Sequence, residues 1–273
     1  MNLSKTWIAF FLILVITLVA LLAFFAEKPK IALIVIDGFN PDYFAYTPKL
    51  SAIKDNSQSF IINTVQPSIT PTAHASIVSC KLPDVHGITD YSKNFSGVPF
   101  LFEWANKNNL RACSAYAKSY LNFFNNSYRY YYMPSGTPLQ IDKALSEKAK
   151  EYANECDIII VLLPTTDAIG HVYGPESEMM KEALNELDKN FADLIDYMHS
   201  KGVKIIIASD HGMCEANGGE HNISAECALK VPLILDKDLT IPDGIDRKNL
   251  KLTSILPIIC NYFNLGCTDE CNV

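Results

Sequence analysis

An α/β fold with a doubly wound, largely parallel central sheet and helices on both faces follows from three features of this 273-residue chain. Three short runs, KIALIVID (30–37), CDIIIVLLP (156–164) and VKIIIASD (203–210), are apolar at both alternating positions. Strands covered on both faces read this way. Amphipathic helical patterns lie between them, which is the alternation that builds a parallel sheet. Hydrophobic residues make up 49% of the chain, enough to fill such a core and too many for a disordered one.

The first element stands apart. Residues 7–26, WIAFFLILVITLVALLAFFA, are apolar except for Thr17 and match the roughly 20 residues of one bilayer crossing. They predict a single-pass membrane helix, with residues 1–27 as anchor and 28–273 as the folded domain. A cleaved signal sequence, with Ala23 and Ala26 as a small-x-x-small site, is the competing reading. The block exceeds the usual ~7–15 apolar residues of such a signal. A short head before a long domain predicts that the domain lies on the extracytoplasmic side. Asn94, Asn125 and Asn222 each open an N-x-S glycosylation pattern, which suits that side.

After the AEKPK linker, SQSFIINTV (57–65), LRACSAYA (110–117), SYRYYYMP (127–134) and VPLIL (231–235) are the remaining strand candidates. Helices are predicted over 47–55, 71–80, 99–109, 138–154, 177–200 and 249–263. The strongest is 177–200, where Met180, Leu184, Leu187, Phe191 and Met198 recur at helical spacing and Gly202 follows as a left-handed stop. No internal repeat or further domain boundary is visible. The net charge of −7 excludes a nucleic-acid polymer as main partner, because phosphate neutralisation needs clustered Lys and Arg. Eight cysteines include no CxxC pair, against a zinc knuckle. Cys260, Cys267 and Cys271 crowd the C-terminus, where they form a disulfide outside the cytosol or stay buried as thiols. The sequence leaves the oligomeric state open.

The three strongest strands end in aspartate: Asp37, Asp167 just past its strand, and Asp210. Open α/β sheets bind ligands outside the carboxyl ends of their strands. Carboxylates gathered there repel unless a cation or shared proton intervenes. Histidines join them. Asp167 and His171 are one helical turn apart, His211 adjoins Asp210, and His221 follows in a glycine-rich loop. Such oxygen and imidazole donors suit Zn²⁺, with Mn²⁺ or Fe also fitting. His74 and His86 are expected to satisfy local backbone groups, and His199 to complement a helix end.

The stretch PSITPTAHASIVSC (67–80) supplies a nucleophile candidate. Pro71 at the first helical position would make Thr70 the N-cap. A hydroxyl there, beside a dication and the positive end of a helix, is placed to attack a phosphoryl group. Ser68 and Thr72 fall to local structure.

Together, IVIDG, TPTAHASIVS with LPDVHGI, TTDAIGHVYGP, SDHGM and GEHN resemble the alkaline phosphatase superfamily, in its type I phosphodiesterase/nucleotide pyrophosphatase branch. The resemblance spans residues 31–235. It implies a hydrolase of phosphoric ester or anhydride bonds acting on small phosphorylated substrates. It also implies two zinc ions, one on Asp167, His171 and His221 and the other on Asp37, Asp210 and His211, with Thr70 as metal-activated nucleophile. A phospho-threonine would form and be hydrolysed. The chain departs from diesterase relatives at Ala73 and Tyr91, where those carry phosphoryl-binding asparagines. Lys118 resembles the anion-gripping lysine of phosphonoacetate hydrolases and some monoesterases, while Tyr120 replaces the second lysine of that motif. A phosphomonoesterase or phosphonoacetate-type hydrolase is therefore the alternative activity, and an inactive relative serving as a binding module the third.

Overall fold

The computed structural model describes residues 28–92, 101–215 and 219–266, together with Phe11, Leu14, Val15, Thr17 and Cys271. The expected anchor at 7–26 and the Asn94 pattern lie outside these residues, apart from those four N-terminal positions. Among the described residues no helix is long and apolar enough to cross a membrane.

All seven expected strands form. They are β1 (Lys30–Ile36), β2 (Gln58–Asn63), β3 (Ala112–Tyr116), β4 (Arg129–Tyr132), β5 (Ile158–Leu163), β6 (Val203–Ala208) and β7 (Lys230–Leu235). They make one sheet in the order β2-β7-β6-β1-β5-β3-β4. β1 runs parallel to β5 on one side and to β6 on the other. β7 is antiparallel to both its neighbours, β6 and β2. Largely parallel, as the sequence indicates, is the correct description.

The unbroken apolar runs are explained by two cores. Ile31, Leu33 and Val35 of β1 enter the core on one face with Ile158, Ile160 and Leu162 of β5. Ala32, Ile34 and Ile36 enter the other with Ile159, Val161 and Leu163. Each full burial of such a side chain contributes about 1.5–3 kcal/mol, so neither face tolerates a polar residue. The helix Glu178–Ser200 lies on the second face through Met180, Leu184, Leu187, Phe191, Leu194 and Met198. Ser177 caps it by accepting from the Met180 amide at 3.1 Å, and Gly202 follows in the left-handed region at φ 68°.

The helix boundaries bring two corrections. The nucleophile-bearing helix is Thr70–Ser79, and extended Ile69, at φ −124° and ψ 150°, is its N-cap. Thr70 is already helical and its hydroxyl caps nothing. The C-terminal pattern begins as a 3₁₀ turn, Leu252–Ser254, before the helix Ile255–Tyr262, since Pro257 is tolerated only in a first turn. Sequence reading also missed a helix of its own over Thr165–Tyr173 and a 3₁₀ segment over Ser119–Asn126. Both are too short or too polar to show a period.

Disulfides join Cys80 to Cys271, Cys113 to Cys156 and Cys214 to Cys227. Cys260 is also disulfide-bonded. The C-terminal cysteines thus do not pair only among themselves: Cys271 reaches back to the end of the Thr70 helix.

Candidate active site

Four neighbouring strands in the order β6-β1-β5-β3 deliver Asp210, Asp37, Asp167 and Lys118 to one edge of the sheet. Strand neighbours are about 4.8 Å apart, so side chains just past their carboxyl ends meet without long loops. Local chemistry fixes each one. Gly38, after Asp37, turns at φ 72°, and a Cβ there would come within 3.0 Å of the Asp167 Cα. Glycine therefore lets the β1 exit press on the Thr165–Tyr173 helix. The Asp167 amide donates to the Asp37 carbonyl at 2.9 Å, and the Thr166 hydroxyl donates to the same oxygen. Asp210 Oδ1 accepts from the amides of Gly38 (3.2 Å) and His211 (3.0 Å).

The three histidines share one orientation. Nδ1 faces a backbone carbonyl in each: Gly219 for His171 at 3.0 Å, Gly212 for His211 at 3.2 Å, and Ser68 for His221 at 2.7 Å. A carbonyl only accepts, so Nδ1 carries the proton and Nε2 presents a lone pair. Gly219 permits its contact by a backbone at φ 112° whose missing Cβ would lie 2.1 Å from the Gly170 carbonyl.

All three Nε2 atoms aim at the carboxylates. His211 Nε2 is 3.3 Å from Asp37 Oδ1 and 3.5 Å from Asp210 Oδ2. His171 Nε2 and His221 Nε2 are 3.3 and 3.6 Å from Asp167 Oδ1 and 3.2 Å from each other. The two sets expected from sequence are therefore each brought together. The rings of His211 and His221 stack at 3.8 Å, which merges the sets into one cluster. Asp37 Oδ1, Asp167 Oδ1 and Asp210 Oδ2 are buried without a hydrogen-bond donor. Apart from the Thr70 hydroxyl and the Lys118 ammonium at its margin, the cluster is made of acceptors, and such oxygens and lone pairs fit dications. Asp37, Asp210 and His211 form one compact donor group, and Asp167, His211 and His221 another.

Among the described residues, Lys118 brings an ammonium to the cluster, its Nζ lying 2.7 Å from Asp37 Oδ2 and 2.5 Å from Asp167 Oδ2. Burial alone would lower its pKa, and the two aspartates more than reverse that. One ammonium does not hold three carboxylates ionised. Burial, then Asp167 and Asp210, pushes Asp37 well above the usual carboxylate range. Burial takes Asp210 up to about 7. Asp167, against its own burial, is held low by Lys118 and His171.

Thr70 stands at the head of its helix, 1% exposed, with its hydroxyl 3.2 Å from His211 Nε2. The first-turn amides of a helix have no intrahelical partners, and here they are those of Thr70 and Thr72, since Pro71 has no N–H. A second buried hydroxyl–imidazole pair, Ser76 and His86 at 2.9 Å, is not an activated nucleophile. The Ile88 amide donates to His86 Nδ1, so Nε2 holds the proton and donates to Ser76.

Other expectations need revision. Ser68 is not merely local: its hydroxyl donates to the His221 carbonyl, 153 residues away, while its carbonyl accepts from His221 Nδ1. His74 satisfies no backbone group. Its Nε2 lies 3.6 Å from Asp210 Oδ2, its ring meets Phe124 edge-on, and burial takes its pKa down to about 3. The i, i+4 spacing from Thr70 was the available signal, since it puts both on one helix face. His86 does serve a local amide, and His199 pairs with Asp236 at 3.1 Å. Asn40, unremarked in the sequence, ties the β1 exit to the β6 exit by bonding both polar atoms of Met213's backbone.

The sequence profile of the type I phosphodiesterase / nucleotide pyrophosphatase family matches residues 31–112 and 118–253. The chain belongs to that family. It is 28% identical over 225 residues to an uncharacterised pyrophosphatase/phosphodiesterase of Schizosaccharomyces pombe, covering 68% of this chain and 45% of that protein. The chain spans less than half the length of the curated relatives it matches. Among solved structures, a murine ectonucleotide pyrophosphatase/phosphodiesterase 5, in an inactive threonine-to-alanine form with AMP, superposes with a TM-score of 0.73. Its identity is 13%, and 88% of this chain and 96% of that one are covered. The C-terminal periplasmic domain of EptC from Escherichia coli, in complex with zinc, gives a TM-score of 0.62 at 14% identity, covering 88% and 84%. These likenesses concern the fold.

Proposed function

We propose that this family member is a metal-dependent phosphohydrolase of the nucleotide pyrophosphatase/phosphodiesterase type. It cleaves phosphodiester or pyrophosphate bonds through a covalent phospho-threonine at Thr70. The observation that carries this reading is the acceptor-rich cluster, with three buried carboxylate oxygens lacking a donor, beside a buried hydroxyl that caps no helix.

Asp167, His171 and His221 would hold one dication, and Asp37, Asp210 and His211, with the Thr70 oxygen, the other. Zn²⁺ suits the mixed carboxylate and imidazole donors, and Mn²⁺ or Fe would fit them too. When bound, such ions lower the pKa of nearby hydroxyls and neutralise charge on phosphoryl oxygens. Thr70 Oγ1 attacks phosphorus in line, the bond to the leaving oxygen breaks, and Thr70 is left as a phosphate ester. Water then cleaves the Thr70–phosphorus ester and restores the hydroxyl. The free Thr70 and Thr72 amides at the positive end of this helix would stabilise the charge that develops. The murine neighbour's inactive threonine-to-alanine form with AMP supports a threonine-dependent reaction on nucleotides.

We place the domain outside the cytosol, anchored by residues 7–26, a reading the disulfides support. The test of function is hydrolysis of bis-p-nitrophenyl phosphate and p-nitrophenyl phosphate by the purified chain, with and without a chelator. Chelator-sensitive turnover with the diester preferred is expected. A preference for the monoester would favour the phosphomonoesterase or phosphonoacetate-type alternative, to which Lys118 beside Asp37 lends weight. Turnover indifferent to chelation would contradict the mechanism.

A further inference from the structure

Asn40 follows Asp37 at the β1 exit and stands at the head of the 3₁₀ turn Pro41–Tyr46. An asparagine at such a position ordinarily caps the turn with its side chain. Here the side chain makes no cap bond. Both of its polar atoms go to Met213 instead. Oδ1 accepts from the Met213 amide at 2.6 Å, and Nδ2 donates to the Met213 carbonyl at 2.7 Å. Gly212 leaves room for this approach: a Cβ there would lie 2.6 Å from Asn40 Oδ1 and 1.9 Å from the Cys227 carbonyl oxygen.

The Met213 amide shares one planar peptide group with the Gly212 carbonyl, and in a trans peptide the two point in opposite directions. Fixing the N–H therefore fixes the C=O. That carbonyl faces His211 Nδ1 at 3.2 Å, while His211 Nε2 faces the Thr70 hydroxyl at 3.2 Å and Asp37 Oδ1 at 3.3 Å. We infer that Asn40 is a positioning residue for His211, acting through the Gly212–Met213 peptide. It holds the carbonyl that keeps the proton on Nδ1, and so keeps the Nε2 lone pair turned toward the site. Partners of this kind fix the tautomer and aim of a metal-binding imidazole. Ser209 ties the same two chain exits together: its Oγ accepts from the Phe39 amide at 2.9 Å and donates to the His211 carbonyl at 2.7 Å. These bonds run between the β1 and β6 exits and touch none of Asp167, His171 and His221. The effect therefore belongs to the dication on Asp37, Asp210 and His211. This inference rests on the proposed metal-dependent reading and names a residue that serves it.

The experiment has a metal-free and a metal-binding arm, each on full-length Asn40→Ala and Asn40→Asp. In the first, nitrogen NMR of the imidazoles in the chelated chain reads the His211 tautomer, assigned by the signal that His211→Ala removes. Wild type should hold the proton on Nδ1, and Asn40→Ala should show a mixture of the two tautomers. Asn40→Asp keeps an acceptor for the Met213 amide and should keep the wild-type tautomer, which separates the relay from a general loosening of the fold. In the second arm, competition of Zn²⁺ against a chelator should show one of two ions bound about ten- to a hundredfold more weakly in Asn40→Ala, the other near wild type. A His211 tautomer unmoved in Asn40→Ala, or equal weakening of both ions, would overturn the inference. A wild-type chain that binds no Zn²⁺ would contradict the proposed function, and the metal-free arm would still decide this one.

Discussion

The Thr70 hydroxyl lies 3.2 Å from His211 Nε2, and that nitrogen lies 3.3 Å from Asp37 Oδ1. Because His211 Nδ1 faces the Gly212 carbonyl, Nε2 is the acceptor and Thr70 donates. The hydroxyl's proton thus points into the carboxylate cluster, away from the helix it begins. A cap would point the other way. Thr70→Ala should lower kcat on a phosphodiester by at least about a thousandfold with the fold retained, whereas Thr70→Ser keeps a competent hydroxyl and most of the activity. Steady-state kinetics on both variants check this.

Lys118 compensates Asp37 and Asp167 whenever no metal does. Lys118→Met should therefore destabilise the chelated domain by about 3–5 kcal/mol, the cost of leaving buried charge unpaired. Saturating Zn²⁺ should narrow that deficit. Urea denaturation with chelator and with zinc gives both values.

Asp142 lies buried on the helix Pro138–Tyr152, and neither of its carboxylate oxygens has a hydrogen-bond donor among the described residues. Burial pushes its carboxyl up to about 8, against the pull of Thr165. A pKa raised on folding means that the native state binds the proton more tightly. The stability it contributes is whole below the ordinary carboxylate value and is lost as pH rises through about 8. Asp142→Asn should thus be more stable than wild type at pH 8, with the advantage fading as pH falls toward 4. Thermal melts of the chelated domain across that range test the sign.

The Cys214–Cys227 bridge closes the segment that carries His221, a sequence separation of 13. Closing a loop of that size restricts the unfolded chain by about 3 kcal/mol, and here it also restricts His221. Replacing both cysteines by serine should weaken zinc binding, read as a lower chelator concentration at half-removal, before it unfolds the sheet.

The sheet was legible because β1, β5 and β6 are buried on both faces and have little choice of structure. The cluster was legible for a related reason: parallel neighbours bring the residues after Ile36, Leu163 and Ala208 to the same edge. Contacts between distant loops were not legible. Ser68 and His221 are joined by each side chain bonding the other's backbone carbonyl, and no residue type announces that. The N-cap was misassigned because Pro71 is tolerated at either of the first two helical positions, and only the extended backbone of Ile69 separates them. His74 was misread because a histidine held by burial and one serving a backbone amide look alike in a sequence.

The most direct test is mass spectrometry of the peptide bearing Thr70 after acid quench during turnover of bis-p-nitrophenyl phosphate. A phosphoryl ester on Thr70 is expected, absent after chelation and absent in Thr70→Ala. Sustained turnover with Thr70 unmodified, together with full activity in Thr70→Ala, would contradict the account.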